Sequence, residues 1–178
     1  MNFSFKKRIA FHYMIATAII MAVVFGVIYM VVQTTVFRHL DNDLYYEAEK
    51  HTHEIKFSGD RIQFINKAEW EEREHREMEV NPVFIQLLNN SGQLMDKSPN
   101  LKSDELPFNN TQSSGYFDIK LHNKSIRQIQ LPIEKGGQVK GYILAAMSSE
   151  SSKAVLGMLR NILLASYLVV LVGLYFTS

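Results

Sequence analysis

The sequence predicts an α+β domain, built on an antiparallel sheet and long helices, between two apolar helices that cross a membrane. Two uncharged runs, residues 9–32 and 162–176, lie near the two ends of the chain. Between residues 83 and 147, short β-prone segments alternate with turn residues. Helical patterns precede these segments rather than alternating with them, which favours an α+β arrangement over parallel βαβ units.

Composition limits the possible functions. The chain has 178 residues, which leaves room for one ordinary domain beside the two apolar runs. Its net charge of +1 gives no reason to expect a nucleic-acid partner. It has no cysteine, so disulfides and thiolate metal sites are excluded.

Residues 9–32 predict the first membrane span. A helix of this length reaches roughly 36 Å, enough to cross a hydrocarbon core of about 30 Å. Lys6, Lys7 and Arg8 come directly before it, so residues 1–8 are expected in the cytoplasm. A cleaved signal sequence has a shorter apolar region and a small-residue cleavage site, and residues 31–33 offer none. We therefore expect an anchor.

Residues 36–55 predict that the helix continues beyond the membrane. One narrow apolar stripe recurs at spacings of three and four, formed by Phe37, Leu40, Leu44, Ala48, His51 and Ile55. Such a stripe suits the seam of a coiled-coil homodimer, or it packs on the chain's own domain. Both interpretations stay open at this point.

The next segments are short. Residues 58–60 predict a turn and residues 61–66 a short strand. Residues 67–79 are highly charged and predict a helix, with Trp70 as its docking point onto the sheet.

The sheet is expected from five segments. Residues 83–88 and 93–95 flank a strong Asn-Asn-Ser-Gly turn and predict a hairpin. A long polar loop, residues 97–114, follows, and residues 116–121, 125–132 and 138–147 predict three more strands in meander order.

Residues 148–152 form a polar break, and Lys153 is expected to open the last helix. Val155 and Leu159 share one face of it. Residues 162–178 predict a second span, which we expect to continue beyond Ser178, since 15 uncharged residues fall short of the ~20 that a span needs. Residues 33–161 then form a domain outside the cytoplasm, joined to the membrane by a helix at each end.

Three segments carry a family resemblance: HLDNDLYYEAEKHTHEI, VFIQLLNNSGQLMDKSPNL and IRQIQLPIEKGGQVKGYILAAMSSESSKAVLGMLRNILL. With the two-span layout, they resemble the N-terminal half of a bacterial two-component sensor histidine kinase. The resemblance implies a PAS-like or Cache-like sensor domain, a homodimer, the bacterial inner membrane and an unknown extracytoplasmic signal. It also implies a following kinase part that uses ATP and Mg and phosphorylates a response regulator.

No cofactor and no catalysis are expected in residues 1–178 themselves. His53-Glu54-Ile55-Lys56 copies the start of the kinases' phosphoacceptor box, but Phe57-Ser58-Gly59 departs from it at once. The alternatives are a membrane-anchored domain that binds a ligand or partner in the envelope, or the front end of a chemoreceptor or cyclase-linked receptor, which resembles this layout too.

Three sets of candidate site residues follow. A small-molecule pocket between the sheet and the long loop would be lined by Phe84, Gln86, Tyr116, Arg127, Gln128 and Tyr142. The helices that form a dimer or carry the signal would use Phe37, Leu40, Leu44, Ala48, Val155 and Leu159. Histidine and carboxylate groups crowd residues 39–54 and 69–77 and could bind a metal or sense protons, but we interpret them as solvated charged faces and expect no metal.

Overall fold

The computed structural model describes residues 5–58, 61–65 and 82–177. Helix α1 (Phe5–Thr52) is followed by a two-stranded hairpin, β1 (Ile55–Ser58) and β2 (Arg61–Phe64). Five further strands are β3 (Phe84–Asn89), β4 (Leu94–Lys97), β5 (Gly115–Leu121), β6 (Lys124–Lys135) and β7 (Gln138–Ser148), and the chain continues in helix α2 (Glu150–Thr177). The predicted α+β class with an antiparallel sheet is confirmed, while the predicted helix over residues 67–79 lies outside the described residues.

The five-stranded sheet is not the predicted meander. Its strand order is β4-β3-β7-β6-β5, so the last strand lies between β3 and β6. Strand β7 contains four consecutive buried residues, Ile143, Leu144, Ala145 and Ala146. A strand that is apolar on both faces gains most by being covered on both, which favours the centre of the sheet over its edge.

Strand β6 is longer than predicted, because it runs through Pro132 to Lys135. Its pairing with β5 stops at Gln130, opposite Gly115. Beyond that point β6 has β7 on one side only, and an edge position can accommodate a residue that lacks an N–H. The turn to β7 follows at Gly136 and Gly137, as predicted, and both glycines have positive φ.

Two apolar clusters cover the two faces of the sheet. The first contains Leu44 and Ala48 of α1 with residues of β2, β3, β6 and β7. The second lies on the opposite face, where Leu101, the last residue of a short 3₁₀ helix (Pro99–Leu101), and Leu106 of the loop before β5 pack with Leu88, Ile126 and Leu144. Helix α1 therefore closes one face of the sheet, and the long loop closes the other.

The apolar stripe of α1 packs on the chain's own domain along its second half. Leu40, Leu44, Ala48 and His51 are buried within this single chain, whereas Phe37 is half-buried. The helix ends at Thr52, so the predicted end at residue 55 is wrong. Ile55 instead pairs with Phe64 in the hairpin, which satisfies its backbone groups in a ladder.

The chain falls into two compact units. One is Arg38–Glu150, and the other consists of α1 up to Phe37 and α2 from Ser151. In this second unit the Tyr167 hydroxyl donates a hydrogen bond to the Ala18 carbonyl over 3.3 Å. Both helices are long and apolar enough to cross a membrane. Helix α2 begins at Glu150, three residues before the predicted start, and on it Val155 is exposed and Leu159 half-buried.

Candidate functional site

A charged pair connects α1 to the sheet. Arg127 of β6 donates from Nε to Asp41 Oδ1 over 2.7 Å and from Nη2 to Asp41 Oδ2 over 3.0 Å. Two parallel bonds of this kind fix the orientation of both groups as well as their separation. Both side chains are largely shielded from solvent, so the pair ties one turn of α1 to one position of β6.

Two residues of β5 complete this cluster. Asp118 Oδ2 accepts from Arg127 Nη1 over 3.1 Å, and the guanidinium carbon lies 5.5 Å from the centre of the Tyr116 ring. The hydrogen bond with Asp41 raises the pKa of Arg127, so the guanidinium stays charged. Burial, followed by the charge of Asp41, raises the pKa of Tyr116, which keeps its hydroxyl protonated.

Ser125, two residues before Arg127 on β6, holds the start of α2. The Ser125 carbonyl accepts from the Ser149 N–H over 2.9 Å, and its own N–H donates to Glu150 Oε1 over 3.4 Å. We call Asp41, Arg127, Ser125, Ser149 and Glu150 the β6 junction. Through it, two residues of one strand bind the helix that enters the domain and the first residue of the helix that leaves it.

Replacing Arg127 tests the strength of this junction. We expect Arg127→Met to lower the free energy of unfolding by about 2–3 kcal/mol, because Asp41 is left largely buried without its forked partner. Adding Asp41→Leu to Arg127→Met should recover much of that loss, since the unpaired carboxylate is then gone. Urea unfolding of the detergent-solubilised chain provides the measurement. Asp118→Asn is the matched control, with an expected change under about 1 kcal/mol, because its side chain is more than half exposed.

The opposite face of the sheet carries three buried glutamines. Gln86 of β3 and Gln130 of β6 lie in one row across the sheet, both paired with Leu144 of β7. Gln128 lies two residues before Gln130 on β6. All three are at most 1% exposed, so their carboxamides require partners inside the protein.

Those partners belong to residues 106–112 of the long loop, which we call the strap. Gln86 donates to the Leu106 carbonyl over 3.1 Å and accepts from its N–H over 2.7 Å. Gln128 donates to the Pro107 carbonyl over 2.9 Å. Gln130 accepts from the Asn109 N–H and donates to the carbonyls of Asn109 and Gln112, over 3.1, 3.1 and 2.7 Å. The strap is thus bound mainly through its main chain.

Phe108 of the strap packs at the rim of this face. Its ring centre lies 4.9 Å from that of Tyr142, and it covers Gly92 of the β3–β4 turn. Gly92 has a φ of +78°, and a Cβ there would lie 2.6 Å from Phe108 Cδ1. Both the turn conformation and the aromatic contact therefore favour glycine at this position.

The predicted pocket residues separate into two groups. Phe84, Gln86, Gln128 and Tyr142 lie on the face covered by the strap, whereas Tyr116 and Arg127 lie on the face covered by α1. Because successive side chains of a strand point to opposite faces, the sequence alone is enough to place Arg127 and its neighbour Gln128 on different faces of the sheet. The same rule places Gln130 beside Gln128, a residue the sequence analysis missed. Asp41 was included only in the solvated charged face of residues 39–54, since the fold alone brings it to Arg127.

The histidine and carboxylate cluster of α1 is partly buried. His51 Nδ1 lies 2.7 Å from Glu54 Oε2 and its Nε2 lies 3.7 Å from Glu47 Oε2. In the described ranges no three such groups come close enough to hold a metal ion. The second cluster, over residues 69–77, lies outside these ranges.

Burial lowers the pKa of His51, against the opposing effect of Glu54. The folded state therefore favours the neutral imidazole of His51. The contribution of this group to the free energy of unfolding is fully present above its pKa in the unfolded chain, about 6.5. We expect that contribution to fall as the pH drops through the lowered, folded-state pKa. His51→Gln should flatten the pH dependence of the melting temperature between about pH 7 and 5. An unchanged slope in His51→Gln would contradict the assignment.

Comparison with known proteins does not place the chain in a family. No family model matches it, and a search of curated proteins finds no significant match.

Proposed function

We propose that residues 1–178 are the sensing and transmembrane-signalling portion of a bacterial sensor histidine kinase. In this proposal Arg38–Glu150 is a PAS-like or Cache-like domain outside the cytoplasm, and the chain acts as a homodimer. The kinase part would follow residue 178, bind ATP and Mg, and pass phosphate from its own histidine to a response regulator. Residues 1–178 contribute reception and transfer of the signal.

The β6 junction is the observation that carries this proposal. Helix α1 is a single helix from Phe5 to Thr52, so its apolar part and its domain part are continuous. Strand β7 ends at Ser148 and α2 begins at Glu150, which leaves one residue between sheet and helix. A displacement of β6 would therefore act on both helices through Arg127 and Ser125 without an intervening flexible loop.

A topology experiment tests the first part of the proposal. The chain has no cysteine, so a single one introduced at exposed Ser113 reports on that position alone. A membrane-impermeant maleimide should label Ser113→Cys in intact spheroplasts, and Ser4→Cys only after lysis. Labelling of Ser113→Cys only after lysis would contradict an extracytoplasmic domain.

A chimera tests the signalling part. Residues 1–178 are joined to the linker and kinase domains of a bacterial sensor histidine kinase, and ATP-dependent autophosphorylation is measured in membranes. We expect the level to differ between the wild type and Arg127→Met, which breaks the junction, and to be unchanged in Arg61→Met, an exposed arginine of β2. Identical phosphorylation in all three chimeras would argue against signal transfer and favour an anchored binding domain.

A further inference from the structure

The strap is bound in the way a protein binds an extended peptide. Gln86 pairs with both the N–H and the carbonyl of Leu106, and Gln130 pairs with both groups of Asn109. A carboxamide has one donor side and one acceptor side, so it can pair with a peptide unit on both. These hydrogen bonds involve main-chain groups of the strap and none of its side chains. A different extended segment could therefore make the same hydrogen bonds.

Gln128 breaks the pattern. It donates to the Pro107 carbonyl, but its Oε1 has no hydrogen-bond partner among the described residues, although the side chain is only 1% exposed. The matching donor would be the N–H of residue 107, by analogy with Gln86 and Gln130. Proline has no N–H, so the chain's own strap leaves this buried acceptor unused.

We propose that Gln86, Gln128 and Gln130 form a binding site for an extended peptide, and that the strap is its resident, imperfect occupant. The preferred ligand carries an apolar residue equivalent to Leu106, which is buried against the second apolar cluster, followed by a residue with a free N–H to bind Gln128 Oε1. This ligand class rests on the proposed function, in which the domain receives a signal from outside the cytoplasm.

Displacement of the strap is compatible with the fold. The segments that flank the strap are largely exposed, at Lys102, Ser103, Glu105 and residues 113 and 114. The strap belongs to neither β4 nor β5, so its release breaks no strand pairing. An incoming peptide must compete with a tethered segment at high effective concentration, and the extra hydrogen bond to Gln128 favours the peptide over the strap.

The experiment uses two end-blocked, labelled peptides with the sequence of residues 105–112, one natural and one with Pro107→Ala. Binding to the full chain in lipid nanodiscs is measured by fluorescence anisotropy. We expect the Pro107→Ala peptide to bind saturably and about tenfold more tightly than the natural one, as one added hydrogen bond implies. Amide exchange at Leu106 and Asn109 should become faster as the peptide displaces the strap.

Substitutions in the chain test the role of Gln128. Gln128→Met should remove the difference in affinity between the two peptides, while Gln138→Met, at an exposed position of β7, should leave it intact. Pro107→Ala in the chain itself should slow exchange at Leu106 and Asn109 and weaken peptide binding, because the strap then becomes the better occupant.

Equal affinities for the two peptides in the wild type, or no binding together with unchanged exchange at Leu106, would overturn the proposal. The exchange measurement needs no substitution, so it decides the question even if Gln128→Met does not fold. Failure of the proposed function is seen separately, through the labelling of Ser113→Cys. Peptide binding with residue 113 on the cytoplasmic side would support the site and refute the extracytoplasmic role.

Discussion

Replacing Gly141 by alanine is expected to disrupt the centre of the sheet. Gly141 lies on β7 opposite Asn89 of β3 and Ile133 of β6. A Cβ at this position would lie against the Leu88 carbonyl oxygen, well below 3.0 Å, and 2.5 Å from Ile62 Cδ1. The side chain of Ile62 could rotate away, but the carbonyl belongs to the backbone of the neighbouring strand.

We expect Gly141→Ala to lower the free energy of unfolding by about 3 kcal/mol or more, at the upper end of the cost of overpacking, because β3 and β7 must separate locally. Urea unfolding of the detergent-solubilised chain, followed by near-ultraviolet circular dichroism, measures the change. Gly157→Ala is the matched control. It lies in α2 with nothing within 4 Å of the added methyl group, so stability should stay the same or rise by up to about 1 kcal/mol. A loss under 1 kcal/mol in Gly141→Ala would show that β3 and β7 are not packed as described.

The sequence carries local information about the strands and little about their order. Two turns contain glycines with positive φ, Gly92 in the first and Gly136 and Gly137 in the second, and the hairpins that they connect were predicted. The pairing of β3 with β7 joins Phe84 to Ala146, and nothing in the residues between them specifies it. It results from the burial of β7 on both faces, a property of the assembled sheet.

For the candidate sites, as for the sheet, the sequence identifies residues on individual strands but not the distant residues that they contact. Polar residues inside strand patterns singled out Gln86, Gln128 and Arg127, and alternation along β6 could have added Gln130 and assigned Arg127 to the other face. The partners could not be found in this way. Asp41 is 86 positions from Arg127 in the chain, and the strap lies in a polar loop whose path depends on the glutamines beneath it.

The α1 stripe shows why a periodic pattern leaves its partner undecided. Spacings of three and four identify a buried face but not the surface that covers it, so a homodimer seam and an intramolecular contact predict the same residues. The structure places Leu44 at 0% exposure, in the cluster with Ile85 and Ile143 of its own sheet. The other side of the same helix exposes Tyr46, which is 66% accessible. A homodimer through α1 would therefore use the exposed side around Tyr46 rather than the stripe around Leu44.

Leu44→Ala distinguishes the two partners. We expect a loss of about 3–5 kcal/mol in the free energy of unfolding, because the cavity opens inside one chain where the sheet cannot collapse onto the helix. That loss should be the same over a hundredfold range of protein concentration, since no second chain is involved in the contact. Tyr46→Ala, two residues away on the exposed side, should change intramolecular stability by less than about 0.5 kcal/mol. A loss in Leu44→Ala that shrinks as the protein is concentrated would instead place the stripe at a dimer seam, because the stability of such a seam depends on concentration by mass action.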